Sequence, residues 1–203
     1  MTNIAVYSGS FNPLHIGHLA IIKYMIEVAG FDMVYLIVSP KNPLKDSISS
    51  DSGTARYNAA IEAVNRHFAD NAALEIRNDQ TMAARATKVR VDDIELTMPE
   101  PHYTIRTLDA LHEREPENSF TFVMGADNLA DIRRWRDYTR ILADHGVAVY
   151  PRAGFDLETI KQDLLNENPA YNIQIINAPM VDISSTQIRE AHSRGEDVSH
   201  LLM

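Results

Sequence analysis

Short apolar runs alternate with segments of helical period along the chain, and this alternation limits the fold more than any other feature. Ile4 to Tyr7, Met33 to Val38, Phe120 to Met124, Gly146 to Tyr150 and Ile173 to Ile176 are predicted strands, with a further short strand at Ala73 to Ile76. Leu19 to Ala29, Thr54 to Phe68, Tyr103 to Arg114, Leu157 to Leu165 and Ser184 to His192 place apolar residues three and four apart, the spacing of a helix face. Thr54 is the expected cap of its helix. Asp127 to Leu142 carries one or two short helices, and Asp92 to Met98 is expected to be extended. Residues 78–91 show neither a clear period nor a strong breaker. Uniformly apolar strands separated by helices imply right-handed crossovers and a sheet buried on both faces. The expected architecture is one doubly wound, Rossmann-like α/β domain with a mostly parallel central sheet, spanning residues 1–203.

Such a sheet binds its ligand beyond the C-terminal ends of the strands, where the strand order reverses. The loops that follow strands should therefore converge: Ser8 to His18, Ser39 to Lys45, Gly125 to Asp127 and Pro179 to Ser185. The first is the most informative. Gly9-Ser-Phe-Asn-Pro-Leu-His-Ile-Gly-His18 joins a strand to a helix through glycines and a proline turn. Free N–H groups at such a helix start, aided by its dipole, favour an anion.

Composition removes whole classes of function. The chain has no Cys, which excludes disulfides, thiolate metal sites and cysteine nucleophiles. No apolar run has the length of a membrane span, and no secretory h-region precedes the first strand, so the cytoplasm is the expected compartment. A net charge of -9 argues against a broad nucleic-acid surface, whereas a small anion held by local cations stays compatible. The P-loop, G-x-G-x-x-G and G-x-S-x-G patterns are all missing.

Particular residues then stand out. His15 and His18 share one face at the helix start, where imidazolium rings would combine charge with hydrogen-bond donors for phosphate. They could also be metal ligands or capping residues. Gly9 and Gly17 would permit close approach of a ligand to the backbone. Ile183-Ser184-Ser185-Thr186-Gln-Ile-Arg189 places hydroxyls at a helix start and an Arg one turn on, either as a second phosphate clamp or as an ordinary N-cap with a solvated Arg. Lys45 lies on a rigid Pro-containing loop, either near the phosphates or as an ordinary solvated lysine. The lone Trp, Trp135, sits among Arg133, Arg134 and Arg136, as core or as a ring that stacks on an aromatic heterocycle. Asp127 after Gly125 is either a helix cap or an acceptor for ribose hydroxyls.

These residues, in this order, resemble a known family. Gly9 to His18 looks like the (H/T)-x-G-H signature of the nucleotidyltransferase superfamily. Asn42-Pro43-Leu44-Lys45, His102-Tyr-Thr-Ile-Arg-Thr-Leu108, Gly125-Ala-Asp-Asn128 with Trp135, and Ile183 to Arg189 are similar to motifs of bacterial nicotinate-nucleotide adenylyltransferases. The resemblance implies a nucleotidyltransferase-type fold and adenylyl transfer from ATP to nicotinate mononucleotide, with deamido-NAD and pyrophosphate as products. It implies that His15, His18, Lys45 and Arg189 are catalytic. ATP would be bound by Gly9, Ser10, Phe11, His15, His18, Asp127, Ser184, Ser185 and Arg189. The mononucleotide would meet Lys45, Thr104 and Trp135. Mg2+ would accompany ATP, held mainly by substrate phosphates, with no protein metal cage. Ser8, Asn12 and His102 stand where relatives commonly have Gly, Asp and Ser, and residues 78–91 correspond to a family-variable insertion. Neither a nucleic-acid nor a membrane partner is expected, and a homo-oligomer stays open. The rival readings are a sister enzyme acting on nicotinamide mononucleotide or phosphopantetheine, a non-catalytic nucleotide sensor, and a tRNA-charging module, for which length and basic surface are lacking.

Overall fold

The computed structural model of the chain describes residues 1–40, 52–75, 88–179, 181 and 183–203, with side chains of 69–75 not described. Lys45 with its Asn42-Pro43-Leu44 loop, and residues 78–87, lie outside the described residues. The elements run β1 (Asn3–Gly9), α1 (Ile16–Glu27), β2 (Met33–Val38), α2 (Gly53–Glu75), β3 (Val89–Asp92), α3 (Ile94–Thr97), α4 (Thr104–Arg114), β4 (Ser119–Gly125) and α5 (Ala126–Ala130). They continue with α6 (Tyr138–Arg140), β5 (Val147–Tyr150), α7 (Leu157–Glu167), β6 (Ile173–Ile175) and α8 (Ser185–Ser193).

The six strands form one sheet in the order β3-β2-β1-β4-β5-β6, and every neighbouring pair is parallel. The chain winds outward from β1 to β3 and then returns to place β4 on the other side of β1. The reversal lies between β1 and β4, so the loops after these strands flank the crevice that such sheets offer a ligand.

Alternation along each strand sorts the core into two layers. Ile4 and Val6 of β1 pack with Leu108 and Leu111 of α4 and with Leu129 and Ile132. Ala5 and Tyr7 face the opposite way, against Ile21, Ile22 and Met25 of α1 and Ala60 and Val64 of α2. Ile4, Ile22, Leu108 and Leu111 are fully buried, and truncating any one to Ala removes about 2–5 kcal/mol. Both layers are needed to fix the sheet edge that carries the loops.

The structure departs from the sequence reading in four places. Helix α2 runs through to Glu75, so Ala73 to Glu75 are helical rather than the start of a strand. Asn-Ala-Ala-Leu-Glu suits a helix well, and a short apolar run cannot be told from strand by period alone. Ser52, not Thr54, caps that helix, accepting the Ala55 N–H at 3.1 Å. Ile94 to Thr97 form α3 instead of an extended segment, set up when Asp92 accepts the Ile94 N–H at 3.0 Å. The end of the aperiodic 78–91 segment becomes β3, an edge strand paired with β2 from Val34↔Val89 onward. Among the described residues no helix is long and apolar enough to cross a membrane.

Candidate active site

The site is built from the loop between β1 and α1. Phe11 lies over Gly9, whose missing Cβ would stand 3.1 Å from the Phe11 ring. Phe11 itself takes a left-handed φ of +43°, uncommon for a side-chain-bearing residue and so held by its surroundings. Those surroundings are specific. Arg56 of α2 donates to the Ser10 carbonyl at 2.6 Å, Arg189 to the Asn12 carbonyl at 2.7 Å, and Ser185 Oγ to the Pro13 carbonyl at 3.0 Å. Carbonyl oxygens that would repel an anion are thus occupied by donors from α2 and α8.

Helix α1 then begins with an unusual cap. The N-cap His15 accepts the Gly17 N–H on Nδ1 at 3.1 Å, and His18 accepts the His15 N–H on its own Nδ1 at 3.2 Å. An imidazole nitrogen that accepts a hydrogen bond carries no proton, so both rings are the Nε2–H tautomer. Gly17 is required here, since a Cβ would come within 3.0 Å of the His15 ring and 3.3 Å of Ile183. The ring centroids lie 3.8 Å apart.

Both histidines are hard to protonate. Burial, followed by the nearby charge of Arg152, lowers His15 to about 4. Burial, then His15 and Arg152, lowers His18 to about 3. The expectation of imidazolium rings is therefore corrected: in the free protein they are neutral at pH 7, and fixed positive charge comes from arginines. His15 is 5% exposed, which is what removes the solvation a charged ring would need.

Arg152, just after β5, was not singled out by the sequence. Its guanidinium lies 5.2 Å from the centroid of the Tyr150 ring, and its Nε is 3.8 Å from Asp127 Oδ1 in the first turn of α5. Tyr150 meets Tyr7 edge-on at 6.3 Å, and Tyr7 lies 6.0 Å from His18, so an aromatic floor joins the arginine to the histidines. Gly125 makes room for this cluster, because a Cβ there would overlap Asp127 Oδ1 and stand 3.2 Å from Arg152 Nε.

Helix α8 supplies the facing wall. Ser184 is its N-cap: Ser184 Oγ accepts the Gln187 N–H at 3.3 Å, while Gln187 Oε1 accepts the Ser184 N–H at 2.7 Å. The Ser184 hydroxyl also donates to that same Oε1 at 2.8 Å, so the capping alternative is realised for this residue. Ser185 and Arg189 reach the β1–α1 loop as described, and Arg189 is further oriented by Thr186 Oγ1 at 3.1 Å.

The cytidylyltransferase-like family profile matches residues 6–191. A relative named "Probable nicotinate-nucleotide adenylyltransferase" in Flavobacterium johnsoniae is 35% identical over 199 residues, covering 98% of this chain and 91% of the relative. The chain belongs to the cytidylyltransferase-like family, on its nicotinate-nucleotide adenylyltransferase branch. A Bacteroides fragilis relative of the same name is 34% identical, over 99% of this chain and 87% of its own. The fold of this family member is similar to that of Plasmodium falciparum nicotinic acid mononucleotide adenylyltransferase complexed with NaAD, at a TM-score of 0.72 and 21% identity. That match covers 98% of this chain and 88% of the other.

In this member of the family, Gly9, Ser10, Phe11, His15, His18, Ser185 and Arg189 come together around one loop, Ser184 caps the adjoining helix through Gln187, and Asp127 lies beside Arg152, whose charge reaches both histidines. Thr104 opens α4 on the other layer of the sheet. Trp135 is half-buried and meets Phe122 edge-on at 5.9 Å, so part of its ring belongs to the core. No described contact joins Thr104 or Trp135 directly to the histidines. Their shared element is the α4 to β4 side of the sheet.

Proposed function

We propose that this chain transfers the adenylyl group of ATP to nicotinate mononucleotide, giving deamido-NAD and pyrophosphate. The observation that carries the reading is the commitment of both histidine Nδ1 atoms to backbone N–H groups. Each ring then offers one Nε2–H donor and resists protonation, so neither is suited to take a proton from a nucleophile. A phosphate monoester needs no such base, because its second pKa is about 6 and it is already largely dianionic at neutral pH.

The reaction then reduces to alignment and charge. An oxygen of the mononucleotide phosphate bonds to the α-phosphorus of ATP as the bond to the β-phosphate bridging oxygen breaks. The electron pair leaves with pyrophosphate, and no proton transfer is required. His15 and His18 donate to the oxygens of the reacting phosphorus. Ser185, Arg189 and the free N–H groups at the start of α8 receive the β- and γ-phosphates. Arg152 and Asp127 hold the adenosine side, Asp127 through the ribose. Thr104 and Trp135 receive the nicotinate ring, and Lys45 joins the phosphates from its loop. Mg2+ would accompany ATP, held mainly by substrate phosphates and water, and would neutralise phosphate charge; among the described residues no cluster of carboxylates or histidines is placed to hold it. On this reading ATP and nicotinate mononucleotide are its partners, and the cytoplasm is the expected compartment.

The relatives named for nicotinate favour the acid over the amide substrate. The test is release of pyrophosphate from ATP with nicotinate mononucleotide, nicotinamide mononucleotide or phosphopantetheine side by side. The expected outcome is the highest kcat/KM for nicotinate mononucleotide. Release with none of the three, alongside normal ATP binding, would make the chain a nucleotide sensor.

A further inference from the structure

Among the described residues, Arg56 in α2, 4% exposed, Glu95 in α3, 3% exposed, and Asp92, 1% exposed and paired with Arg90 and Arg114, are buried charges outside the reacting groups, and the first two are linked to each other. A buried charge is costly unless its hydrogen bonds are filled, and here the partners form a line. Arg56 Nη1 donates to the Ser10 carbonyl at 2.6 Å and to the Ser39 carbonyl at 2.8 Å, while Nη2 donates to the Pro40 carbonyl at 2.8 Å. Ser39 Oγ donates to Glu95 Oε2 at 2.6 Å. Thr107 Oγ1 donates to Glu95 Oε1 at 2.8 Å. The line therefore starts at the loop before His15, passes the end of β2, and finishes in α4 one turn after Thr104.

We propose that Arg56 and Glu95 form a positioning relay that holds the phosphate loop between β1 and α1 in register with the first turns of α4. The proposal rests on the reading that ATP phosphates meet that loop and the mononucleotide meets α4. Its physical content is peptide geometry. The C=O of Ser10 and the N–H of Phe11 belong to one trans peptide and point in opposite directions. Fixing the Ser10 oxygen on the Arg56 guanidinium turns the Phe11 N–H the other way. Among the described residues that N–H donates to no protein acceptor, which leaves it for substrate. The planar fork of Arg56 also stabilises the left-handed Phe11, and a single ammonium could not hold three divergent carbonyls in the same way. At the far end, both oxygens of Glu95 are taken by hydroxyls from different elements, so the carboxylate fixes the distance from β2 to α4. Reacting groups tolerate little error here: a displacement of about 1 Å can cost about a hundredfold in rate.

The experiment compares wild type with Arg56→Lys, Thr107→Val and the double variant. Steady-state pyrophosphate release, both Michaelis constants and thermal unfolding are measured together with the Phe11 amide resonance. Arg56→Lys is expected to lower kcat by about tenfold or more with the fold retained. Thr107→Val removes one hydroxyl at the opposite end; it should raise KM for the mononucleotide and shift the Phe11 amide signal. The double variant should lose less than the product of the two single losses, because both act along one line. Kinetic constants per folded enzyme equal to wild type, or an unmoved Phe11 amide in Thr107→Val, would overturn the relay. Wild type that binds ATP but turns over no mononucleotide would instead overturn the substrate reading, and the amide resonance still decides the relay.

Discussion

The Nδ1 atom of His18 accepts the backbone N–H of His15 at 3.2 Å, so the signature histidines are fastened to the helix start and to each other. Their low proton affinity has a consequence for pH. Burial, aided by Arg152, holds both folded-state values at about 3 to 4, below the ordinary 6.5 of an unfolded His. Between these values the unfolded chain binds more protons than the folded one. The contribution to stability is therefore complete above pH 6.5 and is lost as pH falls through the folded values of about 4 for His15 and about 3 for His18. Urea unfolding across this window should show a slope that flattens in a His15→Asn, His18→Gln variant. Ring titration by NMR should give midpoints of about 4 for His15 and about 3 for His18, and midpoints near 6.5 would contradict the low proton affinity that burial imposes.

Removing the donor at His18 tests its place in the chemistry. His18→Ala should fold normally and lower kcat by about a hundredfold, the scale of losing one donor to developing charge. Turnover near wild type would assign His18 to capping alone.

Among the described residues, the Arg152 guanidinium is the permanent charge that opposes protonation of both rings. Arg152→Ala should raise KM for ATP by about tenfold, the scale of one charge-assisted hydrogen bond, and leave KM for the mononucleotide nearly unchanged. It should also raise the His18 titration midpoint, since one of the charges opposing protonation is gone. Arg152→Lys should recover part of the ATP affinity. An equal rise in both Michaelis constants would place Arg152 elsewhere in the site.

Gly125→Ala asks whether Asp127 needs its present position. The backbone there, at φ -80° and ψ 160°, accepts any residue, so the new Cβ acts by pushing Asp127 aside. The expected result is weaker ATP binding in calorimetry with a melting temperature close to wild type. Unchanged binding would show that the ribose does not depend on this carboxylate.

Trp135 has two faces to separate. Trp135→Ala loses its packing on Phe122 and should cost about 1–3 kcal/mol in urea unfolding, while raising KM for the mononucleotide. Trp135→Phe should restore most of the stability and only part of the affinity. If both variants keep the wild-type KM, Trp135 is core alone.

The parallel sheet and the pairing of the His15–His18 loop with Ser185 and Arg189 were legible because period, turn residues and motif order all agreed. Other parts were hidden for physical reasons. Glu95 sits in a segment whose helix is a single turn, too short to impose a period, and it is fixed by hydroxyls far apart in sequence. Arg152 follows a proline in a loop and gains its meaning only from β4 and β5 being neighbours. The charge state of the histidines depends on burial, which no spacing encodes. Ser184 could be read two ways from sequence, and its bonds to Gln187 realise the cap.

The packing of Trp135 against Phe122 also bears on how the molecule can be watched. It is the chain's single indole, half sheltered and half open, close to where the pyridine ring is proposed to lie. Its indole emission therefore originates from one location, and under the proposed substrate placement quenching of that emission is the expected sign of the second substrate's arrival, without any attached dye.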